Sequence, residues 1–302
     1  MTPLTRALLD WYRLYGRRHL PWRLTRDPYR IVVSECMLQQ TQTARVIPLY
    51  EAFLALFPDF AALAQASTAD VLRAWRGLGY NSRAVRLQLL ARVVVEEHGG
   101  ILPEDAQALR RLPGMGAYTV AAVRAFAFER DDAATDVNIR RVAHRTAHGL
   151  EFPPKVAVRD LDLLAAASVP QGRGCDWNSA MMDLGATICT ARAPKCLVCP
   201  LREHCAAAPV DAARLAAAMR EHAPKRSPQE RIPFEKTTRY LRGRIVDRLR
   251  ELPPGQAVSF LDLHDEIRRL ADCDERALHG IVKGLVRDGI VAHGERGLEL
   301  PT

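Results

Sequence analysis

The chain has 302 residues, of which 48% are hydrophobic and 26% charged, and its formal net charge is +8. That composition excludes a mainly disordered chain, and no apolar run reaches the ~18 residues that a membrane-spanning helix needs. The basic balance suits a polyanionic partner such as nucleic acid and serves solubility equally well.

Met1 to Arg18 reads as an amphipathic basic stretch without a signal-type apolar segment, so the expected location is the cytoplasm. Apolar residues then recur at helical spacing, as in Val71, Leu72 and Trp75 or Val85, Leu89 and Val93. Pro58, Gly77, Gly79, Gly99, Gly100 and Pro113 punctuate these stretches. Residues 1–206 are therefore predicted to be an all-α domain with short loops. From Ala206 to Arg231 the periodicity weakens, and Ala223-Pro224-Lys225-Arg226-Ser227-Pro228 reads as part of a linker spanning 207–231. Residues 232–302 read as helices over Thr238–Leu252, Phe260–Leu270 and Glu275–Asp288. A hairpin over Ile290–Leu300 follows, turning at His293 to Gly297. Three helices followed by a hairpin suggest a winged-helix-like unit.

Four of the seven cysteines crowd into one segment: Cys189, Cys196, Cys199 and Cys205, spaced C-x6-C-x2-C-x5-C. In a chain without a secretory signal such a group reads as a metal site. Four thiolates can hold a [4Fe–4S] cluster or a zinc ion. Zinc sites more often use two C-x2-C pairs and only one is present, so the spacing favours the cluster. Cys36, Cys175 and Cys273 read as ordinary cysteines.

Leu112-Pro113-Gly114-Met115-Gly116 separates two helical stretches, Asp105–Arg111 and Ala117–Phe128. Gly114 and Gly116 permit a tight turn and leave backbone N–H groups free at a helix start, where phosphate binds. A plain helical corner is the alternative for this motif taken alone.

Together these segments resemble the MutY branch of the endonuclease III-like, helix-hairpin-helix DNA glycosylases. The resemblance also rests on Leu20-Pro21-Trp22-Arg23, Ser34-Glu35-Cys36-Met37-Leu38-Gln39-Gln40-Thr41-Gln42, Gly77-Leu78-Gly79-Tyr80, Ala117-Tyr118-Thr119, Asp136-Val137-Asn138 and Met181-Met182-Asp183-Leu184-Gly185-Ala186. It covers residues 8 to 206. It implies a two-lobed helix-hairpin-helix glycosylase fold with a [4Fe–4S] loop over 189–205. The implied activity is monofunctional excision of adenine mispaired with 8-oxoguanine or G. The implied partner is double-stranded DNA with a mismatch or damaged base, met by a monomer at the bacterial nucleoid.

The resemblance also assigns roles. Glu35 is implied as the general acid that protonates the departing base, and its apolar neighbours Ile31, Val32, Val33, Met37 and Leu38 predict a raised pKa. Without the motif it would read as a surface glutamate. Asp136 is implied as the carboxylate beside the sugar cation, and its place before Val137–His148 makes it a helix N-cap as well. Asn138 positions it. Tyr118 stands where related strand-cutting enzymes carry a Schiff-base lysine, so lyase activity is not expected. Trp22, Arg23, Leu38, Ser179 and Met182 are implied to line the pocket for the extruded base. Gln40, Thr41, Leu78 and Tyr80 are implied to enter the duplex, with core packing the alternative for Leu78 and Tyr80. Arg83, Arg86, Arg110, Arg111, Arg140 and Arg141 are candidate phosphate contacts that individually also read as solvated charges.

Two positions depart from the pattern. Ser179 replaces the Gln or Glu usual in adenine-removing members, and Asn81 replaces an aromatic residue. The C-terminal unit does not resemble the Nudix-type domain many such enzymes use to sense 8-oxoguanine. A thymine or uracil mismatch glycosylase on the same scaffold shares Tyr118 and Asp136, so Ser179 keeps that alternative open. A non-catalytic iron–sulfur DNA-binding module would need neither carboxylate. Arg242, Arg244, Arg248 and Lys283 are candidates for DNA affinity in the tail.

Overall fold

A computed structural model of the chain describes residues 1–151, 156–222, 233–270 and 273–302. The proline-containing part of the predicted linker, 223–231, lies outside the described residues. Among those described, the chain forms fifteen α-helices and one two-stranded hairpin. The first six helices are α1 (Pro3–Tyr15), α2 (Pro28–Leu38), α3 (Thr43–Leu56), α4 (Phe60–Gln65), α5 (Thr68–Ala74) and α6 (Ser82–His98). Next come α7 (Ala106–Arg111), α8 (Ala117–Phe126), α9 (Val137–His148), α10 (Val158–Ser168), α11 (Gly174–Thr187) and α12 (Ala212–Glu221). The last three are α13 (Thr238–Arg250), α14 (Phe260–Leu270) and α15 (Glu275–Arg287), and the hairpin pairs β1 (Ala292–Gly294) with β2 (Gly297–Glu299). No described helix is long and apolar enough to cross a membrane.

The chain divides into two compact units, and neither is a continuous segment. The first comprises 1–35, 103–111 and 115–225. Its core is a cluster of Leu8, Leu9 and Tyr12 from α1, Ile139 and Val142 from α9, and Trp177, Ala180, Met181 and Leu184 from α11. Close approach of α9 and α11 requires Gly185, because a Cβ there would stand 2.6 Å from the Asn138 Cβ. Most of this unit's helices start on side-chain caps that satisfy otherwise free N–H groups. The Thr2 hydroxyl accepts from the Thr5 N–H, and the Asp211 carboxylate from the Arg214 N–H.

Helix α12 was not expected, since 207–231 reads as linker. Its sequence is rich in alanine and only Leu215 is fully buried, so no apolar periodicity marks it.

The second unit comprises 36–102, 112–114 and 226–302. Phe53 of α3 meets Trp75 edge-on at 5.8 Å, over a core that includes Val71, Leu72, Leu87, Leu90 and Val94. The residues α13 to β2 form three helices and a hairpin, with Val258 pairing to Leu298 beside it. Leu241, Ile245, Leu263, Ile267, Leu278 and Leu285 make their shared core. This segment docks on α5 and α6. The Arg250 guanidinium donates to the Leu72 carbonyl at 2.9 Å and the Asn81 amide oxygen at 2.8 Å, and the Ala69 N–H donates to the Pro301 carbonyl at 2.7 Å. Asn81, the residue that departs from the aromatic pattern, thus anchors the C-terminal segment.

Candidate active site

Helix α2 is apolar on almost every face, with Ile31, Val32, Val33 and Met37 all buried. Glu35 is carried in with them and is 5% exposed. Burial pushes its carboxyl up from 4.5 to about 7. A hydrogen bond from the Tyr118 phenol and the positive charge of Arg23 oppose that rise, while the charge of Asp136 adds to it. Tyr118 lies in the first turn of α8, just after the hairpin, and burial keeps its phenol neutral. In the hairpin itself Gly114 adopts φ +78°, and Gly116 caps α8.

Asp136 caps α9. One carboxylate oxygen accepts the N–H groups of Asn138 and Ile139 at 2.9 and 2.8 Å, and the other accepts the Asn138 side-chain amide at 2.7 Å. The Asn138 amide oxygen accepts in turn from Arg141 at 2.9 Å. The carboxylate therefore sits at the positive end of the α9 dipole, oriented by three donors.

Arg23 is held by two groups that sequence reasoning missed. Its guanidinium donates to the Tyr12 hydroxyl at 2.8 Å and to Asp183 at 3.3 Å. Asp183, 1% exposed, also receives the Arg17 guanidinium at 2.7 and 2.9 Å and the Arg17 N–H at 2.8 Å. Its sequence signals are its place in the matching segment Met181 to Ala186 and an acidic residue inside the apolar run Met181 to Leu184, and neither names its partner.

Arg23, Ser179, Tyr12, His19 and Cys175 line one cavity of about 370 Å³. The Ser179 hydroxyl is buried there with no hydrogen-bond partner. A buried unpaired hydroxyl is costly, so this one is free for a bound group. The cavity's lining includes neither Trp22 nor Met182. Trp22 is buried, and Met182 is half-buried against the α1–α9–α11 core. Leu38 falls in the second unit and is half-buried.

The residues expected to enter the duplex lie in the second unit. Gln40 and Tyr80 are exposed, and both have left-handed backbone, with φ of 56° and 45°. Thr41 is half-buried. Leu78 is a correction: it is 6% exposed and takes the core-packing role. Arg83 is another. Instead of facing solvent, its buried guanidinium donates to the carbonyls of Cys36, Met37, Gln39, Leu78 and Gly79 at 2.7–3.2 Å. It ties together the two turns that present Gln40 and Tyr80. Arg140 pairs with Asp162, and Arg141 donates to the Cys189 and Gly185 carbonyls, so both are structural here.

The four cysteines Cys189, Cys196, Cys199 and Cys205 are free thiols, half-buried on one loop of the first unit. Burial pushes Cys199 up to about 11, and the other three cysteines add to the rise, which places the sulfurs within each other's fields. N–H donors already face them. Arg145 reaches the Cys189 Sγ at 3.6 Å, and the Leu201 N–H points at Cys199. Such donors are what thiolates ligating an iron–sulfur cluster require. Among the described residues no three His, Cys, Asp or Glu side chains stand close enough together to hold a metal ion.

Comparison with known proteins agrees with this geometry. Residues 33–161 match the HhH-GPD superfamily of base excision DNA repair proteins. Residues 189–205, the segment that contains all four cysteines, match the iron–sulfur binding domain of endonuclease III, and the protein carries a [4Fe–4S] cluster. The adenine DNA glycosylase of Mycolicibacterium smegmatis is 38% identical over 298 residues, 96% of this chain and 97% of that one. The adenine DNA glycosylase of Mycobacterium tuberculosis is 41% identical over 260 residues, 83% of this chain and 80% of that one. A solved thermostable thymine-DNA glycosylase is 34% identical and superposes with a TM-score of 0.62 over 67% of this chain and 93% of that one. The buried acid, the capped carboxylate and the cysteine loop thus stand in a chain that belongs to the adenine DNA glycosylases of the helix-hairpin-helix superfamily.

Proposed function

We propose that this protein hydrolyses the N-glycosidic bond of adenine mispaired with 8-oxoguanine or G in double-stranded DNA, without cutting the strand. The observation that carries the reading is Glu35, a carboxyl buried to a pKa of about 7 and hydrogen-bonded by a neutral phenol. The Tyr118 phenol donates to one carboxyl oxygen, which leaves the acid proton on the other free to pass to a ring nitrogen of adenine. As the base departs, positive charge grows on the sugar, Asp136 at the α9 N-terminus is oriented to meet it, and water adds to the sugar carbon and returns its proton to the Glu35 carboxylate. Asn138 holds Asp136 in that orientation. No lysine replaces Tyr118, so no Schiff base forms there.

Arg23 and Ser179 supply a fixed guanidinium and an unpaired hydroxyl for the extruded base. Gln40, Thr41 and Tyr80 act on the duplex from the second unit, while Gly114 and Gly116 offer backbone N–H groups to phosphate. Cys189, Cys196, Cys199 and Cys205 would hold the cluster, which would crosslink the loop that carries Arg192, Lys195 and Arg202. We further propose that 1–206 is the glycosylase domain and 232–302 an accessory winged-helix-like unit, and that the protein acts as a monomer on chromosomal DNA.

Single-turnover base release tests the reading, on duplexes with A opposite 8-oxoguanine, A:G, T:G and U:G. Release from the adenine strands alone is expected, and Glu35→Gln should abolish it while DNA binding persists. Release from T:G or U:G without adenine release would transfer the assignment to a mismatch pyrimidine glycosylase, with Ser179 the first residue to exchange.

A further inference from the structure

Buried Asp183 serves two guanidinium groups at once. Its Oδ1 accepts from the Arg17 Nε at 2.9 Å, the Arg17 Nη2 at 2.7 Å and the Arg23 Nη2 at 3.3 Å. Its Oδ2 accepts the Arg17 backbone N–H at 2.8 Å. The division is unequal: Arg17 makes three short bonds and Arg23 a single longer one. Two guanidinium groups against one carboxylate leave one positive charge over, and the asymmetry places that excess on Arg23. Its other contacts, the Tyr12 hydroxyl at 2.8 Å and the face of the Tyr12 ring at 5.7 Å, are neutral. The Arg23 side chain is 10% exposed, so little water screens its charge.

Among the described residues, the charged and titratable groups acting on Glu35 come from three elements: Tyr118 from α8, Asp136 from the head of α9 and Arg23 from the turn Pro21–Arg23. Arg23 is the one cation of the three. It also lines the cavity that holds the unpaired Ser179 hydroxyl. Of the other charged groups at that cavity, Arg26 pairs with Glu129 and Asp176 with Arg173. Arg18 and His19 are exposed, and solvent screens them. The positive charge that Glu35 and a base in the cavity meet is therefore chiefly that of Arg23.

We propose that Arg17 and Asp183 are positioning residues for catalysis: Arg17 occupies the Asp183 carboxylate and so leaves the Arg23 charge free to act on Glu35 and on the extruded base. Asp183 holds the Arg23 guanidinium in place without cancelling it. Truncating Arg17 and neutralising Asp183 therefore have opposite effects. Without the Arg17 side chain, Asp183 turns its full charge on Arg23, the opposition to burial weakens, and the Glu35 carboxyl rises further. Without the Asp183 charge, Arg23 loses both anchor and counter-charge, and the Glu35 carboxyl falls. The proposal rests on the glycosylase reading for the role of Glu35 as the acid; the charge balance itself does not.

The test titrates the Glu35 carboxyl of the full-length protein by ¹³C NMR of labelled glutamate, with the signal assigned by its loss in Glu35→Gln. Single-turnover base release from an A:G duplex is followed across the same pH range. Arg17→Met should move the Glu35 midpoint up by about one pH unit and Asp183→Asn down by about one, the lower end of what one nearby charge contributes. Arg17→Lys keeps a cation on Asp183 and should restore the wild-type midpoint. The alkaline limb of base release should move with the carboxyl in each variant. A midpoint that stays in place or falls in Arg17→Met overturns the proposal, and so does one that stays or rises in Asp183→Asn. Equal shifts in Arg17→Met and Arg17→Lys also overturn it, because they assign the effect to lost packing. Where Asp183→Asn does not fold, the two Arg17 variants decide alone. The NMR titration needs no turnover, so a protein that releases no adenine would refute the function above without deciding this network.

Discussion

Replacing Glu35 by glutamine separates its chemical role from the cost of burying it. The carboxyl is raised from 4.5 to about 7, chiefly by burial. The folded protein therefore holds this proton more tightly than the unfolded chain does. Wild-type stability is fully present below about pH 4.5 and declines as pH rises, reaching its lower plateau above about pH 7. The shift corresponds to about 3 kcal/mol. Glutamine is close in size, can accept the Tyr118 hydrogen bond and does not ionise. Denaturant unfolding of both proteins should give a stability difference that moves by about 3 kcal/mol in favour of Glu35→Gln between pH 4.5 and pH 8. Base release should fall about 10²–10⁴-fold in the same variant, the usual range for a lost general acid. The wild-type rate itself should drop about tenfold per pH unit above about 7, as the acid form is titrated away. A stability difference that does not change with pH would refute the burial argument. A flat rate profile across pH 6–9 would refute the assignment of the acid.

Asp136→Asn retains a good helix cap, so its unfolding free energy should change by less than about 1 kcal/mol, while single-turnover base release falls about 10²–10³-fold with the loss of charge. Comparable losses in both measurements would mean that capping is its whole role. Arg83→Met removes the donor that serves five carbonyls and should cost about 3 kcal/mol, seen as a fall in Tm of roughly 6–12 °C. A shift under about 2 °C would show that the two turns hold without it. Wild-type protein incubated with substrate and borohydride should trap no covalent complex, because Tyr118 offers no amine; efficient trapping would require a nucleophilic lysine elsewhere. Cys199→Ser should lower the iron and sulfide bound per chain, and full retention of both would show that three cysteines suffice.

What the sequence revealed depends on how far apart the interacting residues lie. Glu35 was legible only through the motif that surrounds it: the apolar neighbours on its helix predict a raised pKa, but without the motif it reads as a surface glutamate. Asp136 was legible as a cap from its own surroundings, since a cap contacts N–H groups two and three residues on. The Cys189–Cys205 loop was legible as a cluster-binding segment by its spacing, and the C-terminal helices by their amphipathic period. Arg83 failed this kind of reading because an arginine early in α6 looks like any solvated charge until the carbonyls of Cys36, Met37 and Gln39, more than forty residues away, are brought beside it. Asp183 failed likewise: its partner Arg17 is 166 residues distant. The interleaving of 36–102 with the C-terminal segment was invisible to a reading that cut the chain into consecutive domains, because Arg250 and Pro301 meet α5 and Asn81 only after folding. The departure at Asn81 is the instructive case. Read against a motif, it is a missing aromatic at the DNA surface. In the structure its amide oxygen is committed to Arg250, and the aromatic rings next to Tyr80 come from Phe234 and Tyr240 instead. The residue that departs from the pattern therefore fastens in place the segment that brings those rings.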